Sequence, residues 1–324
     1  MSQRPTHSRT PFSSYAYFKD NQNDEIPYII NLVGKNPGKH IAFVIGSHGN
    51  EPAAILAAEK LHKILMSDDS LLKSGKVSFV LGNPDAVKRD QKFVYSDLNQ
   101  SFSPTTLSGS ESRRVKELSQ YFKNSSDASL LLDFYTSVKN KPRVVFYMSN
   151  NFDDLKLMSK ITRFGLYVNI NPEMFPGNLI LESSKQGIPS YAVSLGTENI
   201  NKSISITFDM MVSALERNGL IERNRLEKDK FLKKPHYIDI YYPRESIKVS
   251  DEFKFINDDI KTGDQIKKGE IYASYKDGFH MAHEDSYVFL LTKRIKRDNL
   301  GFLCKKYTLV TNENPIEDSA DSGR

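Results

Sequence analysis

The stretch over residues 40–51, H-I-A-F-V-I-G-S-H-G-N-E, constrains the fold of this chain more than any other. Its five consecutive apolar residues, 41–45, are too few for a helix and predict a strand that is buried on both faces. Gly46 then interrupts the strand, and Pro52 occupies a position at which a helix can begin. The pattern predicts a strand–turn–helix unit whose turn lies at the carboxyl end of a central strand, where open α/β sheets bind their ligands.

Two polar side chains of this turn, His48 and Glu51, are candidates for a metal site. An imidazole and a carboxylate three residues apart can bind one cation, and this pair suits zinc, which needs further ligands from elsewhere in the chain. The alternative is a capped turn in which Glu51 is solvated and His48 bonds to the backbone. Spacing alone does not decide between the two, because two ligands do not make a metal site.

Composition limits the classes of partner. The 324 residues suffice for one large domain or two smaller ones. The net charge of +5 is spread along the chain without the basic, aromatic-interleaved stripe of a nucleic-acid binder, so no nucleic-acid partner is expected. No apolar run approaches a membrane span, and no membrane association is expected. The single cysteine, Cys304, excludes an internal disulfide and a cysteine-based zinc site and is compatible with a reducing compartment, so a cytoplasmic location is expected.

Short apolar runs alternate with amphipathic segments through the first two thirds of the chain. Strands are predicted at residues 28–33, 41–45, 77–81, 130–135, 144–148 and 191–195, and helices at 53–65, 110–122, 153–164 and 204–220. This alternation predicts one α/β domain over residues 25–225, with helices on both faces of its sheet. Shorter runs punctuated by glycine predict a small β-rich domain over residues 235–310. The polar segments 1–24 and 311–324 are predicted to be disordered.

The sequence G-S-H-G-N-E at 46–51 resembles the metal-binding motif of the succinylglutamate desuccinylase/aspartoacylase family, whose members are relatives of the zinc carboxypeptidases. The family also carries an Asn-Pro turn followed by a D-L-N-R-x-F stretch. Here Asn83-Pro84 and the D-L-N-Q-S-F of residues 97–102 match in order and spacing. The G-I-P approach at 187–189 to a strand ending in Gly196 is similar as well. The resemblance covers roughly residues 25–310, and implies a zinc-carboxypeptidase-like mixed sheet with flanking helices and a small C-terminal β-rich domain.

The resemblance assigns roles to individual residues. It implies that His48 and Glu51 are zinc ligands and that Asn99 lies in the substrate-binding stretch. At four other positions the chain departs from the family. These are Tyr135 in place of the third zinc ligand (a histidine), Lys92 in place of the arginine that polarises the scissile carbonyl, Gln100 in place of the arginine that grips the substrate carboxylate, and Ser194 in place of the general-base glutamate.

Each departure weakens a step of the family's chemistry. A zinc hydrolase needs three protein ligands and an open position, and a neutral tyrosine is a poor ligand unless the metal makes it a phenolate. A serine hydroxyl cannot replace a general base near neutral pH, and loss of such a group typically removes about 10²–10⁴-fold in rate. Gln100 lacks both the charge and the bidentate grip of arginine, whereas Lys92 keeps the charge but not the fork. Four departures in one small site indicate that the site has been repurposed or abandoned.

Neighbouring residues offer substitutes for the missing groups. Strand alternation puts Asp133 on the same face as Tyr135, so that Asp133 is a candidate ligand. Glu198 lies in a loop beyond Gly196 and is a candidate base. His280 and His283 of the end domain are candidate imidazoles, although a surface turn is the commoner setting for such a pair.

Three functions therefore stay open at this point. The first is a pseudoenzyme that binds a ligand or acts as a partner subunit, with one zinc ion held weakly or lost. The second is a zinc-dependent amide hydrolase with altered chemistry, acting on an N-acyl amino acid or small peptide. The third is an active hydrolase whose ligand and base lie elsewhere. A homo-oligomer is compatible with each. All three predict that His48, Glu51, Asn99, Tyr135 and Ser194 surround one pocket at the carboxyl ends of the strands.

Overall fold

The computed structural model describes residues 11–102, 109–136, 142–148, 151–170, 172–173, 175–196, 199–227, 232–233, 235–249, 252–290 and 299–311. In chain order the described residues form α1 (Pro11–Asn21), β1 (Ile29–Val33), β2 (Asn36–Ile45), α2 (Pro52–Ser67), β3 (Ser74–Leu81), α3 (Pro84–Arg89), a 3-10 turn (Leu98–Gln100), α4 (Gly109–Asn124), β4 (Leu130–Tyr135), β5 (Val144–Tyr147), α5 (Phe152–Thr162), β6 (Leu166–Asn169), α6 (Leu179–Lys185), β7 (Ser190–Ser194), α7 (Ile200–Arg217), β8 (Tyr237–Lys248), β9 (Lys254–Phe255), β10 (Gln265–Ile266), β11 (Ile271–Tyr275), β12 (Gly278–Met281), β13 (Ser286–Leu290) and β14 (Asn299–Val310).

The chain divides into two compact units. The first combines Met1–Asn150 with Asn169–Leu232, and the second combines Asn151–Val168 with Lys233–Arg324. The segment from Asn151 to Val168 thus clusters with the second unit, although the sequence-based boundaries of 25–225 and 235–310 assign it to the first domain. Those boundaries stay a prediction.

The first unit is built on a mixed sheet with the strand order β1-β3-β2-β4-β7-β5. The inner pairs β3/β2, β2/β4 and β4/β7 are parallel, whereas β1 and β5 are antiparallel to their neighbours. Residues 41–45 of β2 are buried throughout, as the run of apolar residues predicts for a strand with both faces covered. The parallel register places Val44 opposite Asp133 and Tyr135 opposite Ser194, so that the ends of β2, β4 and β7 come together.

Helices flank this sheet. Helix α2 begins at Pro52, where the missing N–H of proline would have no helical partner in any case, and buries an apolar face that runs from Ala53 to Leu65. It packs against α7, and both helices contact β2. Helix α6 packs against α4 and β7. The α/β prediction for this part of the chain, a mixed sheet with flanking helices, is confirmed.

Within the segment 1–24, which is predicted to be disordered, residues 11–21 form α1. Its Phe18 is 1% exposed, and the Tyr17 hydroxyl lies 2.5 Å from Nδ1 of His62 in α2. A few buried aromatic contacts therefore hold a helix whose overall composition is polar. Of the segment 311–324, which is predicted to be disordered, residues 312–324 lie outside the described residues.

The second unit contains the β-rich end of the chain. Its strands follow the order β6-β8-β14-β13-β10, with a separate three-stranded sheet β12-β11-β9. Strands β8 and β14 form a long antiparallel pair, and β6 runs parallel to β8. A cluster of apolar side chains that includes Ile247, Tyr272 and Leu303 forms the core. Among the residues that the structure describes, no helix combines the length and the apolar character needed to cross a membrane.

Candidate functional site

The turn after β2 is fixed by close backbone packing. Gly46 has a φ of +66°, in the left-handed region that disfavours side chains. Gly49 lies against α3, and a Cβ atom at this position would stand 2.0 Å from the carbonyl carbon of Ala86. The Gly49 N–H also donates to the carbonyl of Lys92 at 3.3 Å. The two glycines thus let the turn that carries His48 press against α3 and the segment that starts at Lys92.

His48 is held between two carboxylates. Its Nδ1 lies 2.8 Å from Oε1 of Glu51, and its Nε2 lies 3.1 Å from Oδ1 of Asp97. The imidazole is 12% exposed and packs edge-on against the ring of Tyr135, with the ring centroids 5.3 Å apart. Burial lowers the pKa of His48, but the bonds to Asp97 and Glu51 outweigh it and raise the pKa to about 9. Near neutral pH the ring is therefore protonated and donates from both nitrogens.

Asp97 joins His48 to Lys92. Its Oδ2 lies 2.5 Å from Nζ of Lys92, whose side chain is 40% exposed. Burial raises the pKa of Asp97, but the hydrogen bond from His48 and the charge of Lys92 hold it well below its usual range. The ammonium group of Lys92 is therefore paired with a carboxylate of the same site.

Tyr135 and Asp133 form a second pair on β4. The Tyr135 hydroxyl donates to Oδ2 of Asp133, and the Ser47 hydroxyl donates to Oδ1 of the same carboxyl at 3.2 Å. Asp133 is fully buried, and burial raises its pKa to about 7. Burial and the neighbouring Asp133 also raise the pKa of Tyr135 well above its usual value. The phenol is therefore neutral and directed at Asp133, which is the opposite of what a phenolate ligand requires.

The remaining site residues take different positions. Ser194 is 8% exposed and stands opposite Tyr135 in the β4/β7 register. The side-chain oxygen of Asn99 accepts from the N–H of Leu179 at 3.1 Å and so supports the start of α6. Gln100 is exposed. His48, Glu51 and Tyr135 are thus brought together, with Ser194 beside Tyr135, while the amide oxygen of Asn99 is engaged by a helix end.

Of the four residues that are candidate substitutes for the missing groups, the structure describes three. Asp133 is close to the turn, but its oxygens accept from Tyr135 and Ser47. Glu198 lies outside the described residues. His280 belongs to the second unit, where its ring stacks on Tyr272 with centroids 5.8 Å apart, and His283 is exposed in the same unit.

The described donors do not fit a zinc ion. Glu51 and Asp97 are on opposite ring nitrogens of His48, so the imidazole separates the two carboxylates that lie nearest to it. Oε2 of Glu51 accepts from the N–H of Thr136 at 2.6 Å. Within the described ranges, no three histidine, cysteine or acidic side chains converge as a metal site does. Tyr135, which is predicted to occupy the position of the third ligand, donates its hydroxyl to Asp133.

Asp97 is a site residue to which the sequence reasoning gave no role of its own. It was part of the D-L-N motif, but its partners are 49 positions away at His48 and five away at Lys92. Its carboxylate also accepts from the N–H of Asn99 at the start of the 3-10 turn. A local signal existed in this capping pattern, since aspartate is favoured before a helical turn, but capping alone does not predict the bond to His48.

Solved structures define the class of fold. The chain is similar to succinylglutamate desuccinylase from Vibrio parahaemolyticus, with a TM-score of 0.64, 16% sequence identity and 85% of each chain covered. Murine aminoacylase 3 gives a TM-score of 0.55 at 15% identity, covering 86% of this chain and 98% of that one. The fold is therefore the zinc-carboxypeptidase-like mixed sheet with flanking helices.

Sequence comparison finds relatives of part of the chain. Residues 37–167 match the "Succinylglutamate desuccinylase/Aspartoacylase catalytic domain". The succinylglutamate desuccinylase of Pseudomonas paraeruginosa (strain DSM 24068 / PA7) is 32% identical over 111 residues, which is 32% of this chain but only 33% of that relative's length. A probable aspartoacylase of Prochlorococcus marinus (strain AS9601) is 25% identical over 248 residues, covering 72% of this chain and 80% of the relative. Over residues 37–167 the chain is therefore similar to the succinylglutamate desuccinylase/aspartoacylase family.

Proposed function

We propose that this protein is a pseudoenzyme of the family, which keeps the fold and a ligand pocket but has lost efficient amide hydrolysis. The observation that carries the proposal is the hydrogen bond from the Tyr135 hydroxyl to Asp133. It engages both the residue at the third ligand position and the nearest acid that could replace it. With both groups bonded to each other, the turn keeps two of the three ligands that a catalytic zinc site needs.

The other site residues support the same proposal. The charge of Lys92 is paired with Asp97, and both nitrogens of His48 lie within hydrogen-bond distance of carboxylates. Ser194, at the family's base position, has a hydroxyl that cannot take up a proton near neutral pH. The groups that would polarise a carbonyl, activate a nucleophile and accept its proton are therefore paired with each other or replaced by weaker ones.

The proposed ligand is an N-acyl amino acid or small peptide, in keeping with the deacylases among the relatives. Gln100 offers a neutral amide where an arginine would grip a carboxylate, so we expect anionic ligand ends to be held weakly. We further propose a cytoplasmic location, in keeping with the single, buried Cys304, and no nucleic-acid partner. A homo-oligomer stays compatible with this function.

Elemental analysis tests the proposal. The protein is purified without chelators or a histidine tag, and zinc is measured per chain, with aspartoacylase-type activity assayed on the same sample as release of free amine. The expected result is far less than one zinc per chain and no amine release above background. A zinc content near one per chain with brisk turnover would overturn the pseudoenzyme proposal.

The second candidate is an active zinc-dependent amide hydrolase, and one observation favours it. His48 and Glu51, the two ligands that match the family, lie side by side with 2.8 Å between Nδ1 and Oε1. A pair so placed needs only a small separation to admit a cation. Near-stoichiometric zinc that disappears in His48→Ala, together with amine release, would favour this candidate over the pseudoenzyme.

A further inference from the structure

Glu111, in the first turn of α4, is a fully buried carboxylate that the sequence motifs do not include. Its Oε1 accepts from the N–H of Val94 at 2.7 Å and from Nδ2 of Asn83 at 3.2 Å. The N–H of Tyr95 lies 3.3 Å from Oε2, and the Ser110 hydroxyl donates to the same oxygen at 3.2 Å. A buried charge is costly unless it is hydrogen-bonded throughout, and here both oxygens have partners.

These contacts connect two parts of the chain. Asn83 lies in the turn that follows β3. It caps α3, because its Oδ1 accepts from the N–H of Ala86. Val94 and Tyr95 belong to the segment between Lys92 and Asp97. Glu111 therefore ties the Asn83–Pro84 turn to the segment that carries the site's lysine.

The segment from Lys92 to Asp97 is held by different contacts at its two ends. Beyond Tyr95, the fully buried Leu98 and the bond from the Ser101 hydroxyl to the Asp97 carbonyl hold the 3-10 turn. Before Val94, the Gln91 N–H bonds to the carbonyl of Ala86 at 3.1 Å, the Lys92 carbonyl accepts from Gly49, and the Lys92 ammonium pairs with Asp97. Lys92 is therefore held on one side by the end of α3 and on the other by the backbone at 94 and 95, which Glu111 fixes.

We propose that Glu111 is the positioning residue for Lys92: by holding the N–H groups of Val94 and Tyr95, it keeps the Lys92 ammonium on Asp97 and the Lys92 carbonyl on Gly49 of the His48 turn. The assignment concerns the geometry of the segment, and it holds whether or not the site hydrolyses anything. Its failure is therefore separable from a failure of the proposed function, which zinc content and turnover decide.

The test measures Lys92 directly. Surface amines of the purified protein are acetylated under limiting reagent, and the rates at Lys92 and Lys63 are compared by peptide mass spectrometry. Lys63 is an internal reference, because it is 46% exposed against 40% for Lys92 and is also paired with a carboxylate, Glu59, at 2.6 Å. Amide hydrogen exchange at Gly49, Val94 and Tyr95 is followed in parallel.

Three variants of Glu111 separate the effect of side-chain length from the effect of charge. Glu111→Ala removes the acceptor, Glu111→Asp keeps the charge but shortens the side chain, and Glu111→Gln keeps the length and one acceptor oxygen. The matched control is Glu117→Gln on the same helix, which removes the charge that pairs with Arg114 at 2.8 Å without touching the 92–97 segment.

We expect Glu111→Asp and Glu111→Ala to raise the Lys92/Lys63 labelling ratio about twofold to fivefold, the factor that corresponds to loss of a partly exposed ion pair. Exchange at Val94 should rise about tenfold or more, as for loss of a bond to a charged acceptor. Gly49, which does not contact Glu111, should also exchange faster. Glu111→Gln should recover most of the labelling ratio, and Glu117→Gln should leave it unchanged.

Two outcomes would overturn the proposal. One is a folded Glu111→Asp or Glu111→Ala variant whose Lys92 labelling and Gly49 exchange equal those of the original chain. The other is an equal rise in the ratio for Glu117→Gln, which would mean that Glu111 acts only through the general stability of α4. If Glu111→Ala does not fold, the Asp and Gln variants decide, since each retains an acceptor for Asn83.

Discussion

The Tyr135 hydroxyl donates a hydrogen bond to Asp133, two residues earlier on the same face of β4. The pair lies beside the His48 turn, with the Tyr135 ring edge-on to the imidazole. One polar contact thus engages the residue that is predicted to stand in place of a third metal ligand.

Asp133 should be needed for stability as the acceptor for two buried hydroxyls. We expect Asp133→Leu to lower the free energy of unfolding by about 1–3 kcal/mol, because it leaves the hydroxyls of Tyr135 and Ser47 without their acceptor. Asp133→Asn should cost less, since its amide keeps one acceptor for Tyr135. The measurement is urea denaturation at pH 7. If Asp133→Asn lowered the free energy of unfolding as much as Asp133→Leu does, the charge of Asp133, rather than its acceptor oxygens, would be what stabilises the fold.

Restoring the third ligand should restore metal binding. We expect Tyr135→His to raise zinc affinity by more than about tenfold, because it supplies a neutral nitrogen next to His48 and removes the phenol from Asp133. Competition with a chromophoric chelator measures the change. Tyr135→Phe is the control and should leave the weak affinity of the original chain unchanged. Tight zinc binding by both the original chain and the Phe variant would place the third ligand elsewhere.

Catalysis should return only when several groups are restored together. We expect Ser194→Glu alone to have little effect and Tyr135→His alone to give a slow site. Both changes together with Gln100→Arg should release free amine from N-acyl amino acids, with a gain larger than the product of the separate gains, since residues of one catalytic unit are not additive. A panel of N-acyl amino acids provides the assay. Brisk turnover by the original chain that survives Ser194→Ala would contradict the assignment of the base position.

His40 should make the fold sensitive to acid. It is 5% exposed with Nε2 2.8 Å from the Ser78 hydroxyl, and burial, aided by Lys76, lowers its pKa from 6.5 to about 4. Between these values the unfolded chain binds the proton and the folded chain does not. The stability that depends on His40 is therefore complete above pH 6.5 and falls as the pH drops towards 4, by about 3 kcal/mol in all.

Denaturation midpoints between pH 7 and pH 4 check this dependence. His40→Gln keeps a donor for Ser78 and should flatten the slope contributed by this residue, whereas the exposed His283→Gln should leave the slope as it is. An unchanged slope in His40→Gln would assign the acid sensitivity to other groups.

Local sequence signals were enough for the elements that bury apolar runs. The run at 130–135 predicts a strand, and β4 spans Leu130–Tyr135. The signals fail where a few contacts hold a polar segment: α1 depends on Phe18 and on the Tyr17–His62 bond, and no pattern in its own residues requires them. Helix α3 is only six residues long, too short for helical periodicity to register.

The position of Glu111 on helix α4 is a further sequence signal for the site. Glu111 stands four, seven and eleven residues before Val115, Leu118 and Phe122, and so shares the apolar face of α4 with them. A carboxylate on such a face has to be buried with partners, and that requirement predicts a polar network. Which network it joins, the Asn83 turn and the Val94–Tyr95 backbone, depends on contacts up to 28 positions away.

The sequence by itself determined the α/β class and the His48–Glu51 turn at the end of β2, because these depend on residue type and on spacing over a few positions. Only the tertiary structure decided which partners the polar residues near this turn contact. The bond from His48 to Asp97 joins positions 49 apart, and the bond from Thr136 to Glu51 joins positions 85 apart. Strand order and register bring such pairs together, and these depend on the packing of the whole sheet rather than on any one segment.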